Sequence, residues 1–169
     1  MTIQDMTMRL GAALVVGMLL GTNRYLHGKS AGIRTLGLVS LGAALAVAFS
    51  ADGFGMDGVT RTVQGVMAGI GFLGAGVIIH HPGNERVQGL TTAASVWMAA
   101  TLGAACGAAQ YALVGVASVL ALVLLVLGGP LERALQRYFG NGAACDETPA
   151  NAHPSAPRLL AHPSDPVER

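Results

Sequence analysis

Charged residues along this chain fall in narrow bands, and the long runs between the bands are apolar. A charge near the centre of a bilayer costs about 2.5 to 3.5 kcal/mol even on the lenient insertion scale, so these runs mark candidate membrane spans. Arg9 and Arg24 bracket residues 10–23, Arg34 and Asp52 bracket 35–51, and Arg61 and Glu85 bracket 62–84. The second and third runs are each long enough for one helix with some tilt. The first becomes a full span only if its helix begins near Ile3 and Arg9 snorkels or lines the interior. Residues 87–131 are 45 positions without a charge. At full helical rise that is about 67 Å, twice what one span of a ~30 Å hydrocarbon core uses. Two spans therefore share the run, with a turn near 108–111, where Gln110 interrupts the apolar pattern and Tyr111 suits an interface. The pattern predicts an all-α fold: a polytopic membrane helix bundle of about five transmembrane helices.

Five spans put the termini on opposite sides, and the basic residues choose the sides. Arg24, Lys29, Arg34, Arg86, Arg133 and Arg137 gather at one face, against Arg9 and Arg61 at the other. That bias predicts an N-terminus outside and a cytoplasmic C-terminus. No Ala-x-Ala site follows Leu20, so the first segment reads as a span rather than a cleaved signal peptide. Residues 1–130 are expected to form the transmembrane domain and 131–169 a cytoplasmic, largely disordered tail. The last 29 residues carry five of the seven prolines together with Asp146, Glu147, Asp165 and Glu168, a composition that cannot offset its ordering entropy.

Composition narrows the function classes. Only 11% of residues are charged and 52% are hydrophobic, against about 25% charged in an average soluble domain. With a net charge of +1 and no basic cluster, nothing marks a nucleic-acid partner. Cys106 and Cys145 lack metal or redox spacing, and His80 and His81, read on a helix, diverge by about 100° without a third ligand. No metal site and no catalytic set emerges, because serines, histidines and carboxylates are scattered without nucleophile-elbow or metallohydrolase spacing.

Glycine is the excess residue, at 24 positions. Gly69-Ile70-Gly71-Phe72-Leu73-Gly74 matches GxGxxG literally, yet it lies within an uncharged span and lacks the preceding strand and following acidic ribose ligand of a dinucleotide site. In a membrane, small residues spaced by four let helix backbones approach. Ala13, Gly17 and Gly21 share that spacing, as do Gly65 and Gly69, and Ser95, Ala99, Gly103 and Gly107. One reading is tight intramembrane packing or self-association. The other is a broken helix across Gly69, Gly71, Gly74 and Gly76 that lends backbone groups to an ion. Polar residues form three clusters: Arg34 with Thr35, Asp57 with Arg61 and Gln64, and Thr91 with Thr92 and Ser95. As anchors, an exposed i,i+4 pair and self-satisfied hydroxyls they are structural; as interior groups, Arg34, Asp57 and Arg61 would line a polar path.

The blocks Ala31-Gly32-Ile33-Arg34-Thr35, Arg61 with Gln64-Gly65, the glycine run continuing through Ala75-Gly76-Val77-Ile78, and Gly89-Leu90-Thr91-Thr92-Ala93-Ala94 with Trp97 resemble the MgtC/SapB membrane proteins over roughly residues 10–130. The resemblance implies a bacterial inner-membrane protein linked to magnesium homeostasis and low-magnesium adaptation, with survival inside host cells in some members. Some relatives are thought to restrain the rotary ATP synthase rather than carry Mg²⁺. The chain departs from the family pattern in three places. Asn23 and Tyr25 flank Arg24 where relatives carry an acidic residue, Gly58 stands where an aspartate is usual, with Asp57 one residue earlier, and the tail is short. The expected function is therefore a non-enzymatic membrane regulator without a cofactor, Mg²⁺ or another cation being the candidate ion. Its expected partners are membrane lipid and another inner-membrane complex such as the ATP synthase. An ion transporter or channel, and a structural homo-oligomer, are the alternatives.

Overall fold

The computed structural model describes residues 1–81 and 84–139. Five helices run in the order α1 (Ile3–Leu26), α2 (Ile33–Gly53), α3 (Gly55–Val77), α4 (Leu90–Gly107) and α5 (Tyr111–Phe139), with strands β1 (Ile79–His81) and β2 (Asn84–Gln88) between α3 and α4. Helices α1, α2, α4 and α5 are long and apolar enough to cross a membrane. Met1–Leu131 forms one compact unit, and α5 continues past the domain boundary expected at 130 to end at Phe139. The remainder of the expected tail, 140–169, lies outside the described residues.

Helix α1 begins at Ile3, where the Thr2 side chain accepts the Asp5 N–H at 3.2 Å and caps the first turn. Arg9 is thereby drawn into the first helix. It bonds Asp5 at 3.0 Å and donates to the Gly107 carbonyl at 2.7 Å, so it faces the protein and satisfies the C-terminal end of α4. The expected turn near 108–111 is present, with α4 ending at Gly107 and α5 starting at Tyr111.

The third span differs from its expected form. Its helix starts before Thr62, at Gly55 (φ +66°), so Asp57 sits in a first turn that favours an acid. It stops at Val77 instead of reaching Asn84, and an antiparallel β1–β2 pair follows. Pro82 lacks the N–H that helix continuation requires. His80 and His81 consequently lie on a strand, not on a helix. Asp57, Arg61, Gln64 and seven glycines dilute the apolar content of α3, which is not one of the four helices apolar enough to cross.

Helix α2 lies against α1, α3 and α4. Leu36, Ser40, Ala43, Ala44 and Val47 recur at helical spacing on its buried side. Two of the small-residue faces read from sequence close on α2. A Cβ added at Gly17 would stand 2.6 Å from the Leu36 carbonyl oxygen, one at Gly103 2.1 Å from that of Ser40, and one at Gly107 2.5 Å from that of Ala44. Backbone meets backbone at these points, and only glycine permits it. Ser40 also donates across the seam to the Ala13 carbonyl at 2.7 Å. Helix α5 adds a stripe of Val114, Ala117, Ala121 and Leu125 to the core and leaves most of its leucines exposed.

Candidate functional site

At one end of the bundle, the α1–α2 turn meets the start of α4. Helix α1 closes in a Schellman motif: Gly28 (φ +63°) donates to the Tyr25 carbonyl at 3.0 Å and Lys29 to the Arg24 carbonyl at 3.1 Å. The motif fixes Lys29 and Ser30 at the rim of a cavity of about 450 Å³ whose other walls include Val77, Gly89, Thr91 and Thr92. Beside it, Arg24 is only 4% exposed although it ends a helix. Its Nη2 donates to Thr92 Oγ1, and its Nε is buried without an acceptor. Neither of the ion pairs Met1–Asp52 and Asp5–Arg9 involves this guanidinium, and no carboxylate among the described side chains neutralises it.

The opposite wall is the N-terminus of α4. Gly89 caps it with φ +95°, and a Cβ there would stand 2.3 Å from the Val77 carbonyl oxygen. A Ser, Thr or Asp cap is excluded on both counts, and no side chain caps this helix. The first N–H groups of α4 thus lack intrahelical acceptors and carry the positive end of the helix dipole.

The other residues singled out from sequence do not join this cluster. Arg34 and Thr35 are exposed in the first turn of α2. Asp57, Arg61 and Gln64 are exposed on α3, near the other end of the bundle, and the expected Asp57–Arg61 pair is not formed among the described ion pairs. None of the three charged groups lines an interior path. The glycine run is continuous helix rather than a broken segment. A Cβ at Gly65, Gly69, Gly71 or Gly76 would meet nothing within 4 Å, and one at Gly74 only the Ala93 Cβ at 3.7 Å. The small-residue spacing of α3 is therefore unused inside the monomer, unlike that of α1 and α4. Trp97 lies 47% exposed on α4. Thr92 is 3% exposed and receives Arg24 rather than serving only its own helix, whereas Thr91 is exposed and its carbonyl accepts Ser95 Oγ at 2.7 Å. Lys29, Arg9 and Ser40 acquire contacts that spacing did not reveal; the one sequence signal for Lys29 was its place beside a glycine at a helix end.

The sequence profile of the MgtC family matches residues 10–134. The chain belongs to the MgtC family. It is similar to Protein SrpB of Synechococcus elongatus, 44% identical over 124 residues, with 65% of this chain and 68% of the relative covered. Protein MgtC of Brucella abortus is 39% identical over 127 residues (75% of this chain, 52% of the relative), and Protein MgtC of Salmonella typhimurium 38% over 130 residues (77% and 54%). The chain thus spans about half the length of these MgtC relatives. No solved structure matches it. Family membership and the apolar helices make this a membrane protein. Two of the blocks that resemble MgtC proteins, Ala31 to Thr35 and Gly89 to Ala94, are the segments that close α1 onto α2 and open α4. The third, the glycine run, forms the second half of α3.

Proposed function

We infer that this MgtC-family chain is a non-enzymatic regulator in the bacterial inner membrane, linked to adaptation to low magnesium, and that it acts through contact between α3 and another membrane protein. The observation that carries this reading is the outer side of α3. None of its residues is buried, and Asp57, Arg61, Gln64, Gly65 and Gly69 are all exposed. Val59, Val63, Val66, Met67 and Ile70 hold the inner side against the core. Polar side chains and bare backbone on the outer side of a membrane bundle are costly against lipid and favourable against a protein helix that bonds the polar groups and fills the glycine notch. Gly103 and Gly107 share the spacing, but they are occupied by α2 and are not part of the proposed contact. The positive-inside bias places the N-terminus outside, and with it the start of α3.

The test is recovery of partners from native membranes with tagged wild type, Gly65→Leu and Gly69→Leu, together with growth at limiting Mg²⁺. Loss of a co-purifying complex and of low-Mg²⁺ growth in both variants, with the protein folded and inserted, is expected. The rotary ATP synthase is the first complex to probe. Unchanged partner recovery overturns the reading. Recovery only of a second copy would favour the homo-oligomer. Transport of Mg²⁺ by the purified protein in liposomes would replace regulation by conduction, although Arg34 stands exposed in the first turn of α2 and Asp57 in the first turn of α3, past the other end of α2.

A further inference from the structure

We propose that the cavity between the α1–α2 turn and the start of α4 binds a phosphate oxyanion, the headgroup of an anionic phospholipid or a free phosphate. Two features lie on its wall, and a third, Arg24, stands behind that wall and reaches it through Thr92. Arg24 is a buried guanidinium whose Nε has no acceptor and which no described carboxylate neutralises. It extends from α1 to the first turn of α4, where its Nη2 holds Thr92, a residue of the cavity wall. The first wall feature is that turn itself, whose free N–H groups and dipole attract an anion and whose glycine cap excludes a side-chain substitute. The second is Lys29, fixed at the rim by the Schellman motif.

The donor set selects the ligand. Among the described side chains, which do not include those of residues 79–87, the charged groups on the cavity wall or reaching it are the cationic Lys29 and Arg24, and the hydroxyls of Ser30, Thr91 and Thr92 add donors. A guanidinium, an ammonium and a helix N-terminus together match a tetrahedral oxyanion with several acceptor oxygens, and give a bare metal cation no ligand shell. The volume of about 450 Å³ is more than one phosphate fills and admits an organic substituent. An anion seated there would stand behind Thr92 from the buried guanidinium and offset its charge across that side chain.

The proposal is tested on the full chain in maltoside micelles at fixed ionic strength. Two arms separate the sources: inorganic phosphate against chloride, and micelles doped with phosphatidic acid or phosphatidylglycerol against phosphatidylcholine. Binding is read by thermal stability and native mass spectrometry. Saturable stabilisation in one arm is expected, weakened several-fold by Lys29→Gln, a lost charge-assisted hydrogen bond, and by Arg24→Gln, a lost charge behind the wall. Protection by phosphate alone assigns a soluble ligand, and protection by the doped lipids alone a headgroup. Because Arg24→Gln can fail to fold, Lys29→Gln in the exposed turn carries the test by itself. No protection beyond chloride and phosphatidylcholine overturns the proposal, as does equal binding by Lys29→Gln. Binding that appears only in Glu85→Gln also overturns it, since the chain would then supply its own counter-ion.

Discussion

Gly103→Ala adds one methyl group at the tightest point of the bundle, and its effect can be worked out from the seam between α2 and α4. The new Cβ would stand 2.1 Å from the Ser40 carbonyl oxygen and 2.7 Å from both its carbonyl carbon and Cα. All three neighbours are backbone, so no rotamer change relieves the overlap. Restoring a separation of about 3.5 Å requires the helices to part by more than roughly 1 Å, and a gap of that size forfeits a quarter to a half of each atom-pair attraction. Ala43, Ala44, Val47, Ala99, Ala100 and Leu102 are buried around this contact and lose packing together. If the seam holds as many atom pairs as one buried leucine, roughly 40 to 60 at ~0.1–0.2 kcal/mol each, the loss is about 1 kcal/mol at the least and several at the most. Alanine returns up to about 1 kcal/mol through its better helix propensity. The net expectation is destabilisation by about 1–3 kcal/mol, in line with other overpacked sites. Gly69→Ala is the internal comparison: its Cβ meets nothing within 4 Å, so only the propensity gain remains and stability is unchanged or slightly raised. Unfolding in maltoside micelles with rising dodecyl sulfate, followed by alkylation of the buried Cys106 in a Cys145→Ser background, measures both. Equal stability of the two variants, or a loss confined to Gly69→Ala, would refute the close approach of α2 and α4.

Two further outcomes follow from single contacts. Arg9→Met removes the donor that serves the Gly107 carbonyl and should cost about 1–2 kcal/mol in the same assay, with Arg9→Lys intermediate because a lysine keeps the charge but not the two-sided reach; a neutral Arg9→Met would show that water serves that carbonyl equally well. Gly58→Asp places a Cβ 2.3 Å from the Cβ of Phe54, so it should destabilise by about 1–3 kcal/mol and be relieved by Phe54→Gly but not by Phe54→Ala, a coupling that a double-mutant cycle measures.

Charge spacing located the helices because the membrane imposes one dominant rule, and Ile3 and the turn at 108–111 follow from it, while the packed faces of α1 and α4 follow from small residues spaced by four. The end of α3 did not, since an uncharged run extends to Asn84 whether the chain is helix or strand. Polarity also could not say which side of α3 faces inward. Gly65 and Gly103 each stand four residues before another glycine, yet one is open and the other wedged against Ser40. Arg24 and Thr92 were both singled out, but as members of separate blocks 68 residues apart. Their meeting depends on how α1 and α4 cross, and a single sequence does not encode that crossing in any local pattern.

The seam at Ser40 also sets a clock on assembly. Ala13, which accepts the Ser40 hydroxyl, is made before α2, so the α1–α2 pair can close as soon as both helices enter the bilayer. Gly103 is made about 60 residues after Ser40, roughly 3 to 13 s later at ribosomal speed. During that interval the Ser40 side of the seam lacks its α4 partner, and α3 is synthesised before that partner exists. Helix α3 is bonded to α2 through the Ser50 and Thr62 hydroxyls at 2.6 Å, ten residues along α2 from Ser40, so the hydrogen bond that α3 makes first does not occupy the place that α4 takes later.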